Sequence, residues 1–173
     1  MKNSSNSNRS APPIVQIAAG ADRDGEQHPL GISVIHFKVI RADNPDIFVI
    51  ENTFHARGGP ARHLHYQQDE YFYALEGTFL IEVGEQRFTL NPGDSLLAAR
   101  MIPHCWAFIG QAPGRILITF TPAGKMEEFF REVSRTNAMP IQDPALWKAH
   151  GMELLGPPLS IEKGDGSNPN TVS

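Results

Sequence analysis

The chain has 173 residues, of which 40% are hydrophobic and 20% are charged, and its formal net charge at pH 7 is -4. This length and composition are typical of one globular domain with a sizeable core. Lysine and arginine are scattered and form no basic face that could follow a phosphate backbone, so we expect no nucleic-acid partner. Cys105 is the only cysteine, which excludes an intramolecular disulfide.

Both ends of the sequence are polar. Residues 1–13 and 161–173 contain few apolar side chains, and we expect both segments to be disordered. The first apolar run, residues 14–19, is too short for a secretory signal or a membrane span. These features favour a cytoplasmic protein that has no membrane partner.

The middle of the chain, residues 14–122, is predicted to be a β-barrel. Short segments rich in β-branched and aromatic residues alternate with turn sequences such as Asn91-Pro92-Gly93-Asp94. The predicted strands cover residues 34–40, 47–54, 70–75, 78–83, 86–90, 95–99, 104–109 and 115–121. Many short strands at this spacing, without alternating helices, predict an all-β sandwich or barrel, and closure would protect the strand edges.

Residues 123–160 are predicted to form a C-terminal helical extension. Apolar residues recur at helical spacing over residues 124–135. A second helix is predicted between Asp143, as its N-cap, and Gly151, with Pro144 at its first position. We expect both short helices to pack on the outside of the barrel, and a dimer contact is the alternative.

A metal site is predicted from residues 59–77. His63 and His65 are two residues apart on an extended strand, so both imidazoles point to one side of it, about 7 Å apart along the strand. Glu70 begins the next strand and can bring a carboxylate to the same space. Imidazole and carboxylate ligands suit a divalent transition metal better than calcium or magnesium. The neighbouring Asp69 is an alternative carboxylate.

A third imidazole stands at a suitable place in the sequence. His104 enters a strand after a turn, a strand and a short connection. If it joins the other three residues, three imidazoles and one carboxylate leave a six-coordinate ion with two open positions, which suit a substrate oxygen and either water or dioxygen. Glu70 is the ionisable oxygen base of this set, and its predicted catalytic role is general base.

Two stretches of the chain resemble the two motifs of the cupin family. The first motif is matched in full by His63-x-His65-x4-Glu70-x6-Gly77, and most of the second by Pro92-Gly93-Asp94 with Pro103-His104. The resemblance implies a cupin jelly-roll barrel. It also implies that one divalent ion, which in cupins is iron, manganese, nickel, cobalt, copper or zinc, is held by His63, His65, Glu70 and His104.

The second motif departs from the family pattern at a position that concerns the pocket. Cupins usually have asparagine four residues after the last histidine of the site, where this chain has Phe108. Trp106 and Phe108 share strand parity with His104, so they belong either to an aromatic cavity wall or to the core. Phe72 is a further candidate for the pocket. Cys105 has the opposite parity and is expected to be a buried thiol that points away from the metal.

A narrower resemblance is to bacterial cupins of the quercetin 2,3-dioxygenase-like type. It rests on Phe37-Lys38, on residues 121–130 and on residues 151–159. It implies that the metal binds the deprotonated 3-hydroxyl of a flavonol, that Glu70 is the base, and that dioxygen cleaves the heterocycle with loss of carbon monoxide.

The predicted function is therefore a metal-dependent dioxygenase that acts on a small aromatic or enolisable substrate bearing oxygen. One alternative is a non-redox isomerase or lyase that uses the metal as a Lewis acid. Another is a ligand-binding module without enzymatic activity. Cupins of this size are often dimers, so a homodimer is a further expectation.

Overall fold

The computed structural model describes residues 14–111 and 113–161. The terminal segments predicted to be disordered lie outside the described residues, except for residue 161. The strands are β1 His28–Leu30, β2 Ser33–Val39, β3 Phe48–Phe54, β4 Ala61–His65, β5 Asp69–Glu76, β6 Phe79–Val83, β7 Gln86–Leu90, β8 Ser95–Ala98, β9 His104–Phe108, β10 Gly114–Thr121 and β11 Met152–Pro158. The helices are α1 Met126–Thr136 and α2 Pro144–Ala149.

The strands form two antiparallel sheets whose inner faces pack together. One sheet has the strand order β1-β2-β3-β10-β5-β8, and the other has the order β11-β4-β9-β6-β7. Side chains from the two sheets meet in the interior: the rings of Phe54 on β3 and Trp106 on β9 have centroids 5.5 Å apart. The fold is therefore the all-β jelly-roll barrel with two short helices that the sequence predicts.

The predicted strands from residue 34 to residue 121 are confirmed, and each end agrees to within one residue. Their period-two patterns match the burial: on β3, Phe48, Ile50 and Phe54 are buried and face the interior. The short edge strand β1 was not predicted. Pro29 stands at its centre, and proline within a strand pattern argues against a strand except at an edge.

Both helices pack on the barrel, and their boundaries follow the predicted signals. Asp143 caps α2, because its Oδ1 accepts a hydrogen bond from the amide of Leu146 at 3.0 Å. The apolar side of α1 buries Met126, Phe129, Phe130 and Val133. Among the described residues, no helix combines the length and the apolar composition that crossing a membrane requires.

The last part of the predicted helical extension is a strand instead. β11 runs antiparallel to β4 and places Leu154 opposite His63. No helix was predicted beyond Gly151, and the strand there was missed because it depends on a partner about ninety residues away and because its prolines fit only the edge position that β11 occupies. As a result, β4 forms hydrogen bonds with β11 on one side and with β9 on the other. His63 and His65 therefore lie on an interior strand of the sheet and not on its edge.

Candidate metal centre

Three histidines and one glutamate converge from three strands. His63 and His65 lie on β4, and His63 is directly opposite His104 on β9 of the same sheet. Glu70 lies on β5 and reaches the cluster from the other sheet. One ligand atom from each of the four side chains lies within 4.8 Å of every other, and all four residues are buried.

The Glu70 carboxylate is the point on which the imidazoles converge. Its Oε2 is 2.9 Å from His104 Nε2, 3.1 Å from His65 Nε2 and 3.9 Å from His63 Nε2. All three imidazoles therefore present Nε2 to the same region, which is the arrangement that a metal ion bound by four residues requires.

Backbone carbonyls hold two of the rings in this orientation. His63 Nδ1 donates to the carbonyl oxygen of Ala61 at 2.7 Å, and His104 Nδ1 donates to that of Ile102 at 2.9 Å. A proton on Nδ1 leaves the Nε2 lone pair free to bind a metal, and such a partner commonly fixes the tautomer of a ligating histidine. Both rings are thus held in a form that can bind a cation through Nε2.

His65 tests whether a metal fits this cluster. Its side chain is completely buried, and neither of its ring nitrogens has a hydrogen-bond partner among the described residues. Its Nε2 lies 3.1 Å from Glu70 Oε2 without forming a hydrogen bond of good geometry, and a cation bound between the two atoms would satisfy both. Three nitrogens and one carboxylate oxygen form a donor set that suits divalent transition ions. The residues present fit such an ion.

The charges of the cluster suit metal binding. Burial, followed by repulsion from the His104 and His65 rings, lowers the pKa of His63 to about 3, so this imidazole is neutral at pH 7. Burial disfavours the charged form of Glu70, but its contacts with His104 and His65 outweigh burial and lower its pKa. Burial also opposes the charge of His104, yet Glu70 raises its pKa. A bound cation can replace the His104 proton as the charge that balances Glu70.

The cluster lies at the wall of a cavity of about 350 Å³. His63, His65 and Glu70 line it, and most of the remaining lining is apolar. The aromatic residues of the lining are Phe54, Trp106, Phe120, Phe129, Phe130 and Trp147. This volume is within the range of small-molecule sites, about 300–1,000 Å³. The site can therefore hold a small, largely apolar molecule beside the four clustered residues.

Only one of the three predicted pocket aromatics lines this cavity. Trp106 does, whereas Phe72 and Phe108 are completely buried in the core. The ring of Phe108 packs against glycine backbone: a Cβ on Gly77, whose φ is 79°, would lie 2.7 Å from Phe108 Cε2, and one on Gly114 would lie closer still. Strand parity allowed Phe108 to lie either in the cavity wall or in the core. It lies in the core, because the glycines leave room for its ring.

Two neighbours of the predicted ligands lie outside the cluster. Asp69 bonds to Arg100, with Oδ2 2.7 Å from Nη2, and this partner lowers its pKa to about 2. The alternative of Asp69 as the carboxylate ligand therefore finds no support in the geometry. Cys105 is buried as expected and contacts the side chains of Arg62 and Glu82 rather than the metal ligands.

Two further residues shape the site and were not predicted from the sequence. Trp147 of α2 packs against His63, with ring centroids 5.1 Å apart, and covers the metal end of the cavity. Asn52 of β3 lines the cavity among apolar neighbours. No local signal in the sequence brings Trp147 to His63. Asn52 interrupts an otherwise apolar inward face of its strand, which is a signal that could have identified it.

The segment that carries the cluster matches a known family. Residues 52–120 match the family described as the cupin domain, Cupin_2, and all four metal-ligand candidates lie within this range. The chain is also 32% identical over 66 residues to MJ1618, an uncharacterized protein of Methanocaldococcus jannaschii. That alignment covers 38% of this chain and 53% of the relative, so this chain spans about half the length of that protein.

A solved structure shares the fold. An RmlC-like cupin from Shewanella frigidimarina NCIMB 400 has a TM-score of 0.54 and 19% identity, and the likeness covers 66% of this chain and 96% of that one. KdgF from a Halomonas species has a TM-score of 0.49 and 20% identity, over 57% of this chain and 87% of that one. Residues 52–120 therefore match the cupin domain family, and the Shewanella protein shows a similar fold.

Proposed function

We propose that this chain is a metal-dependent dioxygenase acting on a small aromatic or enolisable substrate that bears oxygen, with flavonols as the first class to test. The observation that carries the proposal is the position of the donor set. His63, His65 and Glu70 lie at the wall of a largely apolar cavity of about 350 Å³. Substrate and metal ligands would therefore share one cavity.

The metal supplies the chemistry that the side chains lack. A divalent transition ion held by the four residues supplies Lewis-acid activation of a substrate oxygen and, if it is redox-active, reactivity toward dioxygen. The cluster also suits redox-inactive ions such as zinc, and for this reason a non-redox isomerase or lyase is the alternative outcome of the tests below.

Glu70 is the residue that can take a proton from the substrate. Its lowered pKa keeps it a carboxylate at pH 7 despite complete burial. A general base must be ionised and within hydrogen-bond reach of the proton that it accepts. Because Glu70 lines the cavity, a hydroxyl group or an acidic C–H of a substrate placed at the metal end lies next to its carboxylate.

The apolar walls bind and enclose the substrate. Trp147 and Phe129 contact each other, with ring centroids 5.3 Å apart, and both line the cavity. They belong to the two helices, so the helices close the cavity over the metal end. Excluding water strengthens the electrostatic interactions inside such a site and protects reactive species from hydrolysis.

The test is oxygen consumption by protein loaded separately with each candidate metal. We expect oxygen uptake with at least one flavonol, loss of the flavonol and release of carbon monoxide. The control is Asp69→Asn, which changes a carboxylate beside Glu70 that faces Arg100 instead of the cluster and should leave uptake unchanged. No uptake with any metal across flavonols, diketones and catechols contradicts the proposal. Turnover without oxygen, with zinc or manganese, would establish the non-redox alternative.

A further inference from the structure

Asn52 is an unpaired polar side chain within an apolar wall. It lies on β3 and is 4% exposed, and its inward-facing neighbours on the strand are Ile50 and Phe54. Its Oδ1 is buried and has no hydrogen-bond partner among the described residues. Buried acceptors are nearly always paired, so an unpaired acceptor calls for a partner that the protein itself does not provide.

Asn52 lines the same cavity as the metal cluster. Two other uncharged polar residues line this cavity, Ser33 and Asn137. The Ser33 hydroxyl donates to the carbonyl of Leu30 at 3.3 Å, and Asn137 Oδ1 accepts from the amide of Gly31 at 2.8 Å. Both are used inside the protein. Asn52 differs from them, because its Oδ1 has no hydrogen-bond partner among the described residues.

Strand register separates Asn52 from the metal ligands along the barrel. Glu70 is opposite Phe120 on β10, and Phe120 is opposite Phe48 on β3. Asn52 lies four residues beyond Phe48, which corresponds to about 13 Å along the strand at about 3.3 Å per residue. A ligand that reaches both Asn52 and the metal end is therefore elongated and larger than a single ring.

We infer that Asn52 is a specificity-determining residue that accepts a hydrogen bond from an N–H or O–H group on the remote end of an elongated, largely aromatic substrate. The aromatic walls between the two ends favour flat apolar groups. A substrate without the donor leaves Oδ1 buried and unpaired, and it is rejected for that reason. Only the placement of the other end at the metal rests on the proposed function; the hydrogen bond at Asn52 does not.

The test uses two probes that differ in one donor and have no group that binds the metal strongly. Indole carries an N–H, and benzothiophene has a similar shape without one. Binding of both is measured by NMR titration to wild-type protein, to Asn52→Leu and to Ser33→Ala, the matched control whose hydroxyl is already paired. We expect the wild type and Ser33→Ala to prefer indole by about fivefold, the value of one net hydrogen bond, and Asn52→Leu to lose the preference.

Thermal unfolding of the ligand-free variant separates recognition from a structural role. If Asn52 serves a ligand, Asn52→Leu unfolds at the same temperature as the wild type or higher, because an unpaired polar group is removed. A large drop in that temperature would indicate a structural role and overturn the inference. Should the leucine variant not fold, Asn52→Ala permits the same probe comparison.

The probe experiment and the oxygen assay fail independently. A retained indole preference in Asn52→Leu, or none in the wild type, overturns the role of Asn52 and leaves the dioxygenase proposal standing. If no oxygen is consumed but the indole preference depends on Asn52, the proposed reaction is overturned and the binding role of Asn52 is retained.

Discussion

Truncation of Phe108 tests whether this residue serves the core or the pocket. Its side chain is completely buried, and its ring lies 5.4 Å from that of Phe79 and 5.9 Å from that of Phe54, between ring centroids. It does not line the cavity that the metal ligands share. Phe108→Ala should therefore destabilise the protein without changing its metal content.

The size of the effect follows from the burial. Replacing a fully buried phenylalanine by alanine costs about 3–5 kcal/mol, since both transfer free energy and contacts are lost. The glycines that face the ring have no side chains that could turn into the space. For a chain of this length each kcal/mol lowers the melting temperature by about 2–4 °C, so the expected drop is about 6–20 °C. Phe108→Asn should cost about 1–3 kcal/mol more, because its amide would be buried without partners.

The assay combines urea unfolding with elemental analysis of the folded variant. Leu97→Ala is the matched control: this side chain is 56% exposed, and its truncation should change stability by no more than about 0.5 kcal/mol. A loss below about 1 kcal/mol for Phe108→Ala would refute the core assignment. Loss of metal from a variant that stays folded would show that Phe108 acts on the site.

Three further predictions concern the surroundings of the site. Trp147→Ala should lower the free energy of unfolding by about 3–5 kcal/mol, measured by urea unfolding. Because it uncovers the cavity, it should also lower the rate of oxygen uptake by a larger factor than it lowers the metal content. Burial opposes the charge of Glu51, but contacts with Arg115 and Lys38 outweigh burial and lower the pKa of Glu51. The ionised carboxylate therefore stabilises the protein fully above its ordinary pKa of 4.5, and this stabilisation is lost as the pH falls through the lowered pKa. Glu51→Gln should therefore destabilise at pH 7 and flatten the acid side of the stability–pH curve; an unchanged acid side contradicts this. Asp69→Asn should keep about one metal per chain by elemental analysis, since its carboxylate faces Arg100; loss of metal would make it a ligand.

Local patterns were sufficient to predict most of the barrel. Alternating apolar residues and turn sequences are properties of neighbouring residues, and the strands between residues 34 and 121 follow them closely. The spacing of His63 and His65 on one strand face likewise indicates a shared direction whatever the rest of the fold. The convergence of Glu70 and His104 on them could be expected only because the spacing resembles the cupin motifs.

What could not be predicted depends on distant contacts. Strand parity shows which face a residue occupies but not its depth along the barrel, and Phe108 is therefore in the core although it shares parity with His104. Its environment depends on Gly77 and Gly114, which belong to other turns and strands. Trp147 meets His63 only because β11 returns the chain to β4.

The measurement that tests the central claim most directly is elemental analysis of the protein purified without added metal and after loading, beside single variants of the cluster. The account predicts about one divalent transition metal ion per wild-type chain and almost none in His63→Ala, with circular dichroism showing that the variant is folded. If folded His63→Ala retains one equivalent of metal, or if the wild type binds none under any loading condition, the four residues are not a metal centre.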